Sequence, residues 1–181
     1  MPKFISFLMI AGILLFTDCN KATKTVFLSP NISVELPDNF RKQISNSNGS
    51  SASDSDQIIQ SKTYTYTATI NNDEIFIGNT TSTAYDTLSL DQKKEKIAPN
   101  LNGFVKGFEG TNLAHKDTVI NGLPQSDYSF EKKQMDTLYR VHGKLIIQDS
   151  NVWFFNYMFK IPVRNNSLKS RDRFFKSIQI K

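Results

Sequence analysis

The chain has 181 residues, enough for one domain with a substantial core, and 39% of them are hydrophobic and 12% aromatic. A formal net charge of +5 is scattered: Lys93, Lys94 and Lys96 form one group, and Arg164, Lys169, Arg171, Arg173 and Lys176 another near the C-terminus. That scatter, with no recognisable nucleic-acid-binding motif, excludes nucleic acid as the expected partner. The single cysteine, Cys19, excludes an internal disulfide.

The N-terminus has the pattern of an export signal. Lys3 supplies a short positive region, and Phe4 to Phe16 is a thirteen-residue run in which only Ser6 is polar. That run matches a signal h-region and falls short of the roughly 18 to 20 apolar residues that span a bilayer. Cys19 follows closely. The arrangement resembles a bacterial lipoprotein signal, in which the cysteine becomes the lipidated first residue of the mature chain. Phe16 stands where that pattern has a Leu-like residue, and Asp18 where it has a small neutral one. The resemblance implies lipid attachment at Cys19, a durable membrane anchor of several acyl chains, and a cell-envelope location facing the periplasm or the cell surface. The alternative is an ordinary secretory signal cleaved near Thr17 to Ala22, leaving a secreted soluble protein. Residues 1–19 are then the signal peptide and lipidation site, 20–31 a tether and 32–181 a single domain.

Within that domain, Ile32, Val34 and Leu36 alternate with Ser33 and Glu35, which predicts a strand with one buried face, closed by Pro37-Asp38-Asn39. Ile44 to Asp56 is nearly all Ser, Asn, Asp and Gly, and its composition predicts a mobile loop. Gln57 to Ile70 alternates Thr63, Thr65, Thr67 and Thr69 with Tyr64, Tyr66, Ala68 and Ile70, which predicts a wet Thr face and a packed Tyr face. Asn71-Asn72-Asp73 turns the chain into a return strand, Glu74 to Ala84, with Ile75 and Ile77 on one face and Phe76 on the other.

Ser89 to Gln92 has capping-box spacing, so a helix starts at Leu90. Ile97, Leu101, Phe104, Val105 and Phe108 follow at helical spacing and share one face. Pro99 kinks or divides this helix, falling near the start of the second part. Gly103 and Gly107 suggest close approach to the sheet, and Gly110 the stop. His115 to Ile120 is a strand ending at the turn dipeptide Asn121-Gly122; Leu123 to Glu131 returns with Tyr128 and Phe130 on one face, and Lys132 to Asp136 is a charged turn.

Thr137 to Pro162 is a hairpin. Its second arm, Val152 to Phe159, holds the only Trp and four more aromatic residues, which predicts a central strand of the main sheet. Leu168 to Lys176 is helical, and Ile178 and Ile180 end the chain as a short strand.

Three segments, Val34-Glu35-Leu36-Pro37-Asp38, Ile120-Asn121-Gly122-Leu123-Pro124 and Phe174-Phe175-Lys176-Ser177-Ile178, occur in an order that resembles the Mog1/PsbP-like fold. The resemblance implies an α+β domain: a mainly antiparallel β-sheet with helices packed on its faces, an α/β/α sandwich. Members of that group include non-catalytic accessory proteins and exported lipoproteins.

The chemistry-bearing residues are few. His115 and His142 lie in separate strands, where they read as strand residues; facing one another, they would make a poor metal site of two ligands. Asp127 and Glu131 share a strand face at a distance unsuited to paired acid–base work. No nucleophile elbow and no phosphate-cradling Gly loop occurs. No enzyme activity, metal or cofactor is therefore expected. Two roles remain: a non-catalytic envelope accessory or protein-interaction module, and a carrier holding a small apolar ligand between the helix Leu90 to Phe108 and the sheet.

Overall fold

The computed structural model describes residues 22–50 and 58–181, with the backbone alone for 45–50 and 58–63. Among these residues the chain is α+β and mostly antiparallel sheet. Strands β1 (Thr23–Ser29), β2 (Ile32–Pro37) and β10 (Gln179–Ile180) form a small sheet in the order β1-β2-β10. The main sheet has seven strands: β3 (Arg41–Ser50), β4 (Ile58–Ile70), β5 (Asp73–Thr81), β6 (Gly110–Ile120), β7 (Leu123–Gln134), β8 (Thr137–Gln148) and β9 (Asn151–Lys160). Their spatial order is β3-β4-β5-β9-β8-β7-β6, every neighbour antiparallel.

The aromatic arm is β9, the fourth of the seven strands. Successive side chains on a strand point to opposite faces, and here both faces are buried. Trp153, Phe155, Tyr157 and Phe159 join Ile75, Ile77, Tyr66 and the small sheet's Ile32, Val34 and Leu36 in one core. Val152 and Phe154 join Leu145, Ile147, Tyr128 and Phe130 in a second core on the opposite face. Burial on both faces explains why this arm is aromatic almost throughout instead of alternating with polar residues.

Helix α2 (Ile97–Gly107) covers the second core, the short α1 (Leu90–Glu95) leads into it without burying a residue, and α3 (Asn165–Lys176) lies beside the small sheet on the first. The capping box forms as the spacing predicts: Gln92 N–H donates to Ser89 Oγ at 3.3 Å, and Ser89 N–H donates to Gln92 Oε1 at 2.9 Å. Pro99 is the third residue of α2, after the break at Lys96. Ile97, Leu101 and Val105 are buried, with Phe104 and Phe108 packed against the same core. The turns Asn71-Asn72 (φ 52° and 68°) and Asn121-Gly122 (φ 53° and 75°) have both central residues left-handed, the geometry that two-residue hairpins favour.

Several expectations are corrected. The tether of residues 20–31 contains β1, whose backbone pairs with β2 from Thr23↔Pro37 onward. The predicted loop from Ile44 begins instead as strand: β3 runs to Ser50 and pairs with β4 in unbroken register. A polar strand is sustained there because β3 lies at the sheet edge, where the ladder needs one partner and no second buried face; residues 51–56 of that loop lie outside the described residues. Lys132 to Gln134 continue β7, and the turn narrows to Met135-Asp136 with Met135 at φ 52°. A side chain at Gly103 or Gly107 would meet nothing, so neither glycine serves close packing. Gly110 does not stop the helix. Glu109 makes the left-handed turn (φ 55°), and Gly110 opens β6 where a methyl group would sit 2.8 Å from Val105 and against the Phe130 ring.

A candidate binding groove on the open part of the sheet

The strand pairing places one row of residues straight across the main sheet: Arg41, Thr67, Phe76, Asn156, Gly143, Tyr128 and His115. The next row on the same face includes Thr69, Glu74, Met158, Val141 and Phe130. Helix α2 covers this face only as far as Phe108. Beyond it, residues of these two rows line a groove of about 440 Å³ that crosses β4, β5, β9 and β8, with Arg41, Thr67, Thr69 and Glu74 exposed and Val141 and Asn156 buried in its floor.

The wall at the helix end is aromatic. Phe108 meets Phe76 edge-on at 5.6 Å between ring centroids and packs on Phe104 at 4.6 Å. Lys132 Nζ lies 5.3 Å from the Phe108 ring centroid, a cation over an aromatic face at the groove rim. Arg41 stands exposed at the opposite end, and Glu74 lies between the two cations along the sheet. Among the described residues neither Arg41 nor Glu74 has an ion-pair partner. Phe76, Phe108, Val141 and Met158 give the groove an apolar centre.

The floor is held by a polar contact beneath it. The Tyr128 hydroxyl donates to Asn156 Oδ1, and Asn156 Nδ2 donates to the Phe76 carbonyl at 3.3 Å. Asn156 is 3% exposed, so its amide is oriented by these partners. Burial pushes the Tyr128 phenol well above its ordinary range, and the bond to Asn156 offsets this in part. Gly143 stands between the two in register, and a methyl group there would fall within the Tyr128 ring.

Of the residues singled out by sequence, Cys19 lies outside the described residues. His115 and His142 are not brought together, since their register positions fall on opposite faces of the main sheet. His115 Nδ1 is 2.9 Å from Asp117 Oδ1, and the Ser126 hydroxyl donates to the same oxygen at 2.6 Å. The carboxylate, not the imidazole, occupies the middle, so the order of a Ser–His–Asp relay is not formed here. His142 stacks on Phe159 at 5.5 Å. Burial lowers its pKa below the ordinary imidazole value, and the positive charges of Arg171 and Arg140 lower it further.

Asp127 and Glu131 do share a face, and each is spent on a cross-strand ion pair. Lys144 Nζ donates to Asp127 Oδ1 and Arg140 donates to Glu131 Oε1, both at 2.6 Å. Hydrogen bonds from Arg140 and then Asn112 hold the Glu131 carboxyl below its usual range. Between α2 and the sheet, where the carrier alternative seats its apolar ligand, Phe104 stacks on Phe154 at 4.4 Å with planes 12° apart. Room exists past the helix end.

Arg41, Glu74, Lys132 and Asn156 were not singled out by sequence reasoning. One signal was present: Gly143 and Asn156 each interrupt an otherwise bulky strand, which marks a close approach on one strand and a buried polar group on the next.

Comparison with protein-family models and with curated proteins found no match. Among solved structures, the chain is similar to a crystal structure of a Pseudomonas aeruginosa protein described as of unknown function, at 12% identity and a TM-score of 0.42, covering 85% of this chain and 91% of that one. Among the described residues no helix is long and apolar enough to cross a membrane, and no group of three or more His, Cys, Asp or Glu is placed to hold a metal ion.

Proposed function

We propose that this chain is a non-catalytic accessory module of the bacterial cell envelope, a Mog1/PsbP-like domain fastened by lipid at Cys19, that engages a protein partner through the groove beyond α2. The observation that carries this reading is the groove itself: an open, sheet-floored channel with an apolar centre, a cation near each end and the Glu74 carboxylate between them. Such a surface suits an extended segment with apolar side chains and mixed charge. The thirteen-residue apolar run ahead of Cys19 supports the location.

A second reading is favoured by Phe76, Phe108, Val141 and Met158: a carrier for a small apolar ligand, seated in the groove. Two experiments separate these readings. Fractionation of cells producing the wild type and Cys19→Ala tests the anchor; the wild type stays with membranes and the variant is released, and identical behaviour of the two refutes lipidation. A photo-crosslinking residue at Met158, compared with one at Val119 on the edge strand β6, tests the groove in the native envelope. A discrete protein adduct specific to Met158 supports the interaction module. An adduct of small-molecule mass supports the carrier, and equal labelling at both positions removes the groove from either role.

A further inference from the structure

The face opposite the groove carries a different set of groups. On α3, Lys169, Arg173 and Lys176 follow at i, i+4 and i+7, so they form one exposed stripe. The neighbouring Asp172 is engaged by Arg171 at 2.7 Å. Arg173 and Lys176 share a shallow recess with Thr25, Ser33 and Glu35 on the outer side of the small sheet. Two positions along β1 from Thr25, and paired with Ser33, Phe27 stands 68% exposed on that same side. An exposed phenylalanine beside a basic stripe is the pairing that interfacial membrane contacts use.

The chain's own connectivity points the same way. Thr23, the first residue of β1, lines a cleft with Arg173 and Ser177, so the polypeptide leaves the domain next to the basic stripe. Cys19 lies four residues before it, which allows at most about 14 Å of extended chain. An acyl chain on Cys19 therefore brings this face, and not the groove, to the headgroups.

We propose that the outer face of the small sheet, with Phe27 and the Lys169, Arg173 and Lys176 stripe of α3, docks directly onto an anionic phospholipid surface. Its geometry rests on the lipid-anchor reading, but its chemistry does not. Docked in this way, the domain turns the groove on the far side of the main sheet away from the membrane, towards partners.

The test uses the unlipidated chain from Asn20 onward, which retains every described element, so its outcome does not depend on whether Cys19 is modified. Sedimentation with phosphatidylcholine vesicles containing about 30% phosphatidylglycerol should retain the protein, pure phosphatidylcholine should not, and roughly 0.5 M salt should release it. Lys169→Glu/Arg173→Glu/Lys176→Glu should abolish binding, and neutralising Lys176→Gln alone should weaken it about five-fold. Phe27→Ser should weaken it several-fold, and Lys93→Glu/Lys94→Glu/Lys96→Glu, on α1 and its C-cap, should leave it unchanged. Equal binding to both vesicles, or loss with the α1 variant and retention by the α3 variant, overturns the proposal. Should circular dichroism show the triple α3 variant unfolded, the Lys176→Gln and Phe27→Ser results decide, and wild-type binding by both overturns it.

Discussion

The hydroxyl of Tyr128 lies 2.5 Å from Oδ1 of Asn156, two strands away, passing over Gly143 on the strand between them. The contact joins β7 to β9 beneath the groove and depends on the missing side chain at Gly143. Gly143→Val should displace the Tyr128 ring and cost about 1–3 kcal/mol or more, as overpacking does. Urea unfolding checks this, and a midpoint equal to the wild type's contradicts the packing.

Tyr128→Phe removes the donor and leaves the buried Asn156 oxygen without it, at a cost of about 1–3 kcal/mol. A cycle with Asn156→Ala should show coupling of about 0.5–3 kcal/mol, because the two residues share one buried bond. Strict additivity would show that Tyr128 and Asn156 act independently.

The protein should lose stability at alkaline pH. Burial, with the hydrogen bond from the Tyr157 hydroxyl to Asp73 Oδ2 at 2.9 Å, raises the Tyr157 pKa above its ordinary value. Tyr128 is also raised, by burial. The unfolded state then releases these protons at lower pH than the folded state, so the stabilisation is complete below the unfolded pKa of about 10 and declines as pH rises above it. Thermal midpoints from pH 8 to 11 should fall above pH 10, and less so in Tyr157→Phe relative to its own midpoint at pH 8. A flat profile in the wild type would refute the linkage.

His142 acts in the opposite direction. Its folded pKa is lowered by burial against Phe159 and by Arg171 and Arg140. The unfolded state therefore binds the proton more readily: stability is fully present above the unfolded value of about 6.5 and is lost as pH falls through the folded pKa. His142→Gln should flatten the stability profile between about pH 7 and 5. Titration of the imidazole by NMR, giving a midpoint at or above 6.5, would exclude the effect.

Ser89→Ala should destabilise the protein by about 1 kcal/mol through loss of the cap on α1. Chemical denaturation reads this directly, and Ser89→Asp should restore most of the loss.

What the sequence by itself determined was set by neighbours within a few positions. The Asn71-Asn72 and Asn121-Gly122 turns, the Ser89 cap, the break before Pro99 and the Tyr–Thr alternation of β4 follow from backbone preference and side-chain period, and each stands where those preferences place it. The central place of β9 also followed, because an arm with aromatics at consecutive positions is stable only when both faces are covered. Tertiary structure decided the rest. The polar segment Arg41–Ser50 is a strand because β4 completes its hydrogen-bond ladder, and nothing in its own composition requires that. The groove exists because β9 inserts between β5 and β8, which sets Arg41, Phe76, Asn156 and Gly143 in one row and leaves α2 too short to cover it. Those residues are far apart along the chain, and their meeting is a property of strand order: long-range burial selects it, and no local preference encodes it.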